Sequence, residues 1–250
     1  MFTTLYSFCT QTNCADGSKP VAGLVQGSDG NLYGTTYTGG ANGSGTAFRL
    51  TAKGKLTTLY SFCSQSNCAD GAEPDAPLIQ ATDGSLYGTT QYGGDITCNP
   101  SYEDMGCGTL FNINLHGEHA TLHVFEFTDG AYPESALMQA TSGKFFGTTY
   151  GGGIACGSPG CGTVFSLDVG LGPYVSFVRR AGKVGQTGPI LGQGFTGTSG
   201  VSLNGTPASF TVVSDTEIRA TVPVGGTSGF VTVDTPGGKL TSNVPFYVLP

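Results

Sequence analysis

The sequence predicts an all-β protein in which propeller-type, four-stranded units precede a small immunoglobulin-like sandwich. Three observations lead to this fold class: motifs repeated three times, glycine turns between short apolar runs, and a composition change near residue 170. Glycine accounts for 42 of 250 residues and charged residues for only 11%, against about 25% charged residues in average chains. Short runs rich in Tyr, Phe, Val and Thr between such turns are typical of strands. No stretch has a helical period.

Three short motifs recur in the same order along the first two thirds of the chain. The first motif occupies residues 3–9, 57–63 and 120–125, the second 32–36, 86–90 and 145–149, and the third 45–48, 108–111 and 162–165. In the first unit, candidate strands cover residues 24–26, 32–37, 46–51 and 59–62. Four short strands in about 50 residues is the size of a propeller blade. We therefore predict about three blades, at residues 1–56, 57–119 and 120–170.

The repeated pattern resembles the GloVer tandem repeats of secreted bacterial proteins. The pattern is Asp-Gly-x-Leu-Tyr-Gly-Thr-Thr, then Gly-Gly, then Gly-x-Gly-Thr-x-Phe. Its first two copies lie at residues 29–48 and 83–111, and the third departs from it at Ser142 and Phe146. The resemblance covers roughly residues 1–168 and implies a repeat architecture. It implies little about activity, because that family is known by its repeat and not by a reaction.

The composition changes at residues 170–173, and strand-like runs then follow at intervals of 8–12 residues. This spacing favours a small sandwich over residues 171–250. The runs lie at residues 192–195, 201–205, 215–218, 220–223 and 231–233. Their order resembles a TIG/IPT domain, an immunoglobulin-like module. The resemblance implies a spacer or binding domain beside other extracellular domains, because a fold alone does not fix a role.

All eight cysteines precede residue 162 and occur as near neighbours in sequence. We predict four local disulfides rather than a zinc site, because structural zinc favours Cys-x2-Cys knuckles and the spacings here are wider. The first two pairs are absent together from the third repeat, as a bonded pair would be. Paired cysteines favour an oxidising compartment. The predicted pairs are Cys9 with Cys14, Cys63 with Cys68, Cys98 with Cys107, and Cys156 with Cys161.

Charge and motif content exclude several classes of function. The net charge of −7 and the lack of a basic stripe argue against a nucleic-acid partner. No apolar run approaches the roughly 20 residues needed to span a bilayer. No Gly-x-Ser-x-Gly elbow, phosphate loop, dinucleotide fingerprint or His-Glu-x-x-His motif occurs, so no cofactor is expected. No signal peptide is visible, and the cysteines still predict a secreted or cell-surface protein.

One carboxylate recurs in every unit, in the motif Asp-Gly-x-x-Pro. The aspartates are Asp16, Asp70 and Asp129. They could form a ring that binds calcium or a sugar, or each could stabilise a turn in which glycine supplies the positive φ. Repetition in every blade favours the turn. Asp29 and Asp83 stand before glycine in hairpins, and turn geometry explains them.

Carboxylates that break the repeat symmetry are the better candidates for catalysis, if catalysis occurs. Glycoside hydrolysis needs two carboxylates about 5–10 Å apart, a distance that a sequence does not give. The candidates are Glu73, Asp75, Asp95, Glu103, Asp104 and Glu134. Three tyrosines beside the Gly-Thr-Thr strands, Tyr37, Tyr92 and Tyr150, are candidates for ligand contact or for packing.

The three histidines cluster in sequence at a predicted hairpin. His116 and His119 flank its tip, and His123 lies on the following strand, where it would share a face with His119. They are weak candidates for a metal site, since ligands across a turn are poorly fixed. Exposed turn histidines are the favoured interpretation, and no metal is expected.

Two functional hypotheses follow. The first is a non-enzymatic extracellular surface, adhesion or scaffold protein that binds a glycan or another protein. The alternative is a secreted hydrolase that acts on polysaccharide through carboxylates in a groove of the repeats. Three units are fewer than the 4–8 blades of a closed propeller, so we also expect self-association or further repeats. The segment at residues 3–8 is expected to be a strand without a blade, and residues 174–178 are expected to supply the strand that the last blade lacks.

Overall fold

A computed structural model describes residues 1–98, 105–154 and 160–250. The predicted all-β fold is confirmed: over these ranges the chain forms 21 strands, two three-residue 3-10 turns (Thr12–Cys14 and Ser66–Cys68) and no α-helix. In the same ranges, no helix is long and apolar enough to cross a membrane. The chain divides into two compact units. Unit 1 comprises residues 1–138 and 145–167, and unit 2 comprises residues 139–144 and 168–250.

The first two blades are four-stranded antiparallel meanders, with strands in chain order. Blade 1 consists of β1 (Val25–Gln26), β2 (Leu32–Thr36), β3 (Thr46–Leu50) and β4 (Leu56–Ser61). Blade 2 consists of β5 (Ile79–Gln80), β6 (Leu86–Thr90), β7 (Thr109–Ile113) and β8 (His119–Val124). The pairing registers match between the blades, including a bulge after Ala47 in β3 and after Leu110 in β7.

Blade 3 has three strands, β9 (Met138–Gln139), β10 (Phe145–Thr148) and β11 (Val164–Leu167). The expectation that residues 174–178 complete it is wrong. Ser176–Phe177 forms β12, which pairs with residues 190–191 in unit 2, because Val175 and Phe177 belong to the apolar core of that unit. The segment at residues 3–8 also forms no strand, since no sheet of the described chain includes it.

Apolar side chains fill the space between successive blades. Phe8, Phe62 and Phe125 each end an outer segment and pack edge-on against Phe48, Phe111 and Phe165 of the following blade, with ring centroids 5.0–5.1 Å apart. Gly88 lets the Phe111 ring approach β6, because a Cβ at this position would lie 2.8 Å from that ring. The core between blades 1 and 2 is formed by Tyr33, Ala47, Phe62, Leu78, Leu86, Phe111 and Ile113.

Unit 2 is a β-sandwich with one apolar core. One sheet has the order β12–β14–β18–β17, the other β16–β15–β19–β20, and β13 pairs with β21 in parallel. Phe195, Ile218 and Val233 are fully buried in the core. The strands after β12 are β13 (Ala181–Lys183), β14 (Thr187–Leu191), β15 (Gly200–Leu203), β16 (Thr206–Pro207), β17 (Phe210–Ser214), β18 (Glu217–Thr221), β19 (Val231–Thr235), β20 (Gly238–Thr241) and β21 (Tyr247–Leu249).

Candidate binding surface

The loops at one end of each blade share one backbone frame. The segment after the second strand of each blade (β2, β6 or β10) forms a bridge with the Asp-Gly-x-x-Pro segment: Ser18 with Thr38, Ala72 with Tyr92, and Ala131 with Gly151. Beside each bridge an amide donates to the carbonyl of the residue before proline. These bonds run from Tyr37 to Lys19 (2.9 Å), from Gln91 to Glu73 (3.1 Å) and from Tyr150 to Tyr132 (3.0 Å). The frame therefore holds equivalent side chains in equivalent places on each blade.

A pair of threonine hydroxyls anchors this frame in every blade. Thr36 and Thr46 lie 2.9 Å apart at their hydroxyl oxygens, Thr90 and Thr109 2.8 Å, and Thr149 and Thr163 2.9 Å. The first hydroxyl of each pair also donates to a carbonyl of the bridged loop, at Thr38, Tyr92 and Gly151. Five of these six threonines are buried, all but Thr163, so the pairs serve the frame rather than the surface.

The residue before proline has a left-handed backbone in all three copies. Lys19, Glu73 and Tyr132 have φ values of 56°, 55° and 60°. Such values are unfavourable for residues with a Cβ and mark positions where the surrounding structure imposes the conformation. The side chains differ at this position although the backbone is the same. The repeated frame therefore presents a different side chain at this position in each copy.

The variable side chains join into a surface that crosses three blades. We call Lys19, Tyr37, Glu73, Asp75, Gln91 and Glu134 the polar strip. The Tyr37 hydroxyl donates to Gln91 Oε1 (3.0 Å), and Gln91 Nε2 donates to Glu134 Oε1 (2.6 Å). The Lys19 ammonium lies 6.0 Å from the centroid of the Tyr37 ring. The strip thus links blade 1 to blade 3 through side chains alone.

Tyr37 lies at the electrostatic centre of the polar strip. Burial, together with the nearby negative charges of Glu73 and Asp75, raises the pKa of the Tyr37 phenol above its usual value. The phenol therefore stays protonated at physiological pH and keeps its hydrogen bond to Gln91 Oε1. Tyr92 contacts Tyr132, with ring centroids 5.6 Å apart.

The structure brings together only part of the predicted site residues. Tyr37, Glu73 and Glu134 meet in the polar strip, and Tyr92 lies beside it. Tyr150 is 66% exposed on blade 3. Asp95 is outside the strip and accepts from the amide and hydroxyl of Thr97. Glu103 and Asp104 lie outside the described residues.

Asp16 and Asp70 are solvent-inaccessible and bonded within the fold. Asp70 accepts hydrogen bonds from the Tyr60 hydroxyl (2.7 Å), the amide and hydroxyl of Ser64, and the Gln65 amide. Asp16 makes the same contacts with Tyr6, Thr10 and Gln11. Asp70 therefore holds its cysteine loop to β4, and Asp16 holds the equivalent loop to the segment at residues 3–8.

Asp129 has fewer partners than its two equivalents. It accepts from the Glu126 amide (2.9 Å) and lies 2.9 Å from His123 Nε2, with 44% of its side chain exposed. His123 stands where the other copies have Tyr6 and Tyr60. The partner of the carboxylate thus changes with the loop, which is shorter in the third copy.

The three histidines lie in different surroundings. His116 is exposed at the β7–β8 turn. The His119 ring stacks on Tyr60 at 4.1 Å and also contacts Phe62 and Phe111. Burial lowers the pKa of His119 to about 4, although the charge of Asp70 acts in the opposite direction. Across the described ranges, no three His, Cys, Asp or Glu side chains are grouped to hold a metal ion.

Three predicted cysteine pairs are disulfides in the structure: Cys9–Cys14, Cys63–Cys68 and Cys98–Cys107. Cys161 is disulfide-bonded as well, while Cys156 lies outside the described residues. Each of the first two disulfides closes a loop at the edge of the frame, since the carbonyl of Cys14 or Cys68 accepts from the second glycine of the Gly-Gly pair.

Sequence reasoning missed Lys19 and Gln91. Glutamine follows Thr89-Thr90 where the other two copies have tyrosine, so it did not stand out among the tyrosines. Variation within an otherwise constant motif could have identified both residues. The residue before proline is Lys, Glu or Tyr, and the residue after Thr-Thr is Tyr, Gln or Tyr.

Comparisons with known proteins identify the repeat family of the chain but indicate no activity. A family model described as the Gloeobacter/Verrucomicrobia repeat matches residues 1–213, further than the 168 residues over which the repeat is evident by eye. No curated protein matches the chain.

The similar solved structures are distant. They include a fungal alcohol oxidase of the AA5 family in complex with copper (14% identity, TM-score 0.36, 88% of this chain and 52% of that chain). A putative gluconolactonase (14%, 0.36, 88% and 72%) and a gluconolactonase from Xanthomonas campestris (14%, 0.37, 88% and 70%) also match. The chain spans about half the length of the fungal oxidase. At these TM-scores the likeness carries no argument about activity.

Proposed function

The chain belongs to the Gloeobacter/Verrucomicrobia repeat family, and on that premise we propose that it is a non-enzymatic extracellular protein that binds polysaccharide along the polar strip. The observation that carries the proposal is the chain of hydrogen bonds from Tyr37 through Gln91 to Glu134, built from residues that vary on a repeated frame. Disulfides in the repeats support an oxidising, extracellular setting.

The chemistry of the strip suits a sugar. A phenol, a primary amide and three carboxylates provide closely spaced donors and acceptors for hydroxyl groups, and the Tyr37 ring provides an apolar face. Three carboxylates against one ammonium give the strip a net negative charge. We therefore expect neutral or amino sugars to bind and acidic polysaccharides to be rejected.

The sandwich of unit 2 is proposed to be a TIG/IPT module that spans about residues 171–250 and acts as a spacer or second contact. Its order of strands and its single core support an immunoglobulin-like module. The ligand-contacting role is assigned to the blades, because the polar strip lies entirely within unit 1.

The alternative is a polysaccharide hydrolase, and the observation that favours it is the presence of Glu73, Asp75 and Glu134 on one surface. Glycosidases hold their substrate in a cleft between two carboxylates. A pocket does lie among the described residues, but it is between the sheets of unit 2, beside Phe177, Ile190 and Leu203. Because this pocket is lined by residues of unit 2, it does not hold a substrate against the carboxylates of the polar strip.

A glycan array followed by titration tests the proposal. Neutral, amino and uronic polysaccharides are screened with the full chain, and the best ligand is titrated by calorimetry. Tyr37→Ala is expected to weaken binding about thirtyfold, which corresponds to the loss of about 2 kcal/mol that marks an interface hot spot. Tyr150→Ala is the matched control, since Tyr150 occupies the equivalent position on blade 3 outside the strip, and it should leave the affinity nearly unchanged.

The same saccharides are incubated with the protein and assayed for new reducing ends. The proposal predicts that the protein binds a saccharide without producing new reducing ends. Release that is lost in both Glu73→Gln and Glu134→Gln would establish the hydrolase instead. Absence of binding across the whole array, or equal losses in the Tyr37 and Tyr150 variants, would remove the strip as a glycan site.

A further inference from the structure

The pocket of unit 2 opens between the two sheets of the sandwich and has mainly apolar walls. Ile190 contributes to the wall from one sheet and Leu203 from the other. Phe177 and Phe246 also line it and pack edge-on, with ring centroids 5.6 Å apart. Its volume is about 100 Å³, whereas a cavity of about 150 Å³ in another protein holds benzene. The pocket therefore has room for an apolar group of roughly four carbons.

The pocket is open because a glycine occupies a core-facing position in the interior of β14. Gly188 lies on the same face of the strand as Ile190, which is buried in the core, since side chains alternate along a strand. A Cβ at Gly188 would have no heavy atom within 4 Å. Its partner across the ladder, Ala220, is also small and lines the pocket. Unfilled apolar space costs stability, because the atoms that line it lose contacts.

The usual structural reasons for a glycine inside a strand do not apply to Gly188. The β14–β18 ladder runs from residues 187 and 221 to residues 191 and 217 without a register shift, so β14 has no bulge there. The φ of Gly188 lies outside the left-handed region, and no other part of the described chain approaches it. Glycine inside a strand also occurs where a ligand comes close to the backbone. This remaining reason points to a ligand in the pocket.

Positive charge is concentrated beside the pocket. Arg179 lines it and is exposed, and Arg180 and Lys183 are exposed in the same five-residue stretch. The ion pairs between described residues include none of these three cations. No aspartate or glutamate of the described chain lines the pocket. The mouth of the pocket therefore favours an anion, although the net charge of the chain is −7.

We propose that unit 2 binds a short alkyl carboxylate, with its alkyl chain in the pocket and its carboxylate against the Arg179 guanidinium. A guanidinium holds a carboxylate by two parallel hydrogen bonds, and such bonds are stronger than those between neutral groups. A chain of about six carbons would fill the cavity beside Gly188 and reach its mouth. This inference goes beyond the proposed function, because it gives the sandwich a ligand of its own.

NMR titrations of the full chain with three probes of the same alkyl length test the proposal. Hexanoate is anionic at neutral pH, hexanol is neutral and hexylamine is cationic. Hexanoate should shift the backbone amides of Ile190 and Leu203 and bind about tenfold more tightly than hexanol, with hexylamine the weakest. Added salt should weaken the binding of hexanoate and leave that of hexanol unchanged.

Gly188→Val tests the pocket itself. The valine side chain enters open space, so it should abolish the hexanoate shifts and raise the melting temperature by filling the cavity. Gly172→Val is the matched control: a Cβ there also meets no atom within 4 Å, and Gly172 is outside the pocket. This control should leave the affinity for hexanoate unchanged.

Arg179→Gln tests the charge and changes only an exposed side chain, so it does not depend on how the core accepts valine. It should weaken hexanoate about tenfold and leave hexanol unchanged. Arg219→Gln is the matched control, because Arg219 is paired with Glu217 and does not line the pocket.

A wild-type chain that binds none of the three probes, or that binds hexanoate and hexanol equally, would overturn the proposal. Hexanoate shifts that persist in a folded Gly188→Val chain would do the same, since the ligand would then lie elsewhere. Equal losses of affinity in Arg179→Gln and Arg219→Gln would also contradict it, because the carboxylate would then have no specific partner at the mouth.

Discussion

At the scale of single residues, the hairpin carboxylates show which substitutions occur together within the repeats. Asp29 accepts from the Tyr33 hydroxyl (2.7 Å), and Asp83 accepts from Tyr87 (3.0 Å). The third copy has Ser142 and Phe146 at these positions, so acceptor and donor are lost together. The sequence predicted the hairpin role of these aspartates from Asp-Gly alone. The tyrosine partner, four residues away, was not evident because it depends on how the two side chains pack.

Asp70 is expected to contribute more to stability than Asp129. Asp70→Ala leaves a phenol, two amides and a hydroxyl without their acceptor, and should lower the free energy of unfolding by about 3 kcal/mol. Asp129 has two hydrogen-bond partners and a half-exposed side chain, so Asp129→Ala should lower the free energy of unfolding by less than about 1 kcal/mol. Urea denaturation measures both. Equal losses would show that the loops do not depend on the buried carboxylate.

Asp16 is expected to make the free energy of unfolding depend on pH in the acid range. Burial would raise the pKa of Asp16, but hydrogen bonds from Tyr6, Thr10 and Gln11 outweigh burial and lower it to about 2. A carboxyl whose pKa is lower in the folded state stabilises the fold above its unfolded value near 4. This contribution is lost as the pH falls from about 4 towards 2.

His119 should make the fold less stable in mild acid. Its pKa of about 4 in the fold lies below the usual 6.5, so the unfolded chain binds the extra proton between these values. Stability should therefore fall as the pH drops from about 6.5 to 4. Since the ring is partly exposed, we expect a slope well below the limit of about 1.4 kcal/mol per pH unit for one proton.

The matched variant for this effect is His119→Leu, because blade 1 carries Leu56 at the same position. This substitution should remove the loss of stability between pH 6.5 and 4, as measured by thermal melts across that range. A pH dependence that persists in His119→Leu would assign the effect to other groups.

At the scale of structural elements, the sequence predicted the strands well and the loops poorly. Periodicity and turn residues indicated β1, β2 and β3 within one or two residues, because hairpin geometry is local. The left-handed backbone at Lys19, Glu73 and Tyr132 was not predictable, since lysine, glutamate and tyrosine carry no such preference. Tertiary hydrogen bonds to the neighbouring strand impose it.

Lys19→Gly tests whether these loops store strain. Glycine adopts a φ near 56° without a steric cost, so the substitution should stabilise the fold by about 0.5–1 kcal/mol in denaturant titrations. Lys53→Gly, in an exposed turn outside the residues with positive φ, is the control and should be neutral or slightly destabilising. A loss of stability in Lys19→Gly comparable to that control would mean that the backbone there is not strained.

At the scale of the whole molecule, the fold class followed from the sequence, whereas the polar strip did not. The blades were predictable from the repeated motifs, because each copy of the motifs forms the same local strands and turns. The strip depends on which loops of successive blades come together, and Tyr37 meets Gln91 across 54 positions of sequence. The same reasoning explains why β12 was misassigned: a strand-like pattern does not reveal whether the partner lies in blade 3 or in the sandwich.

The most direct test of the polar strip is an amide and side-chain NMR titration of the full chain with the best saccharide from the array. The side-chain amide of Gln91 and the backbone amides of Tyr37 and Glu73 should shift together, with one affinity. Amides of unit 2 should stay unchanged, including Ile190 and Leu203 beside its pocket. Shifts confined to unit 2, or spread over both units without Gln91, would contradict the account.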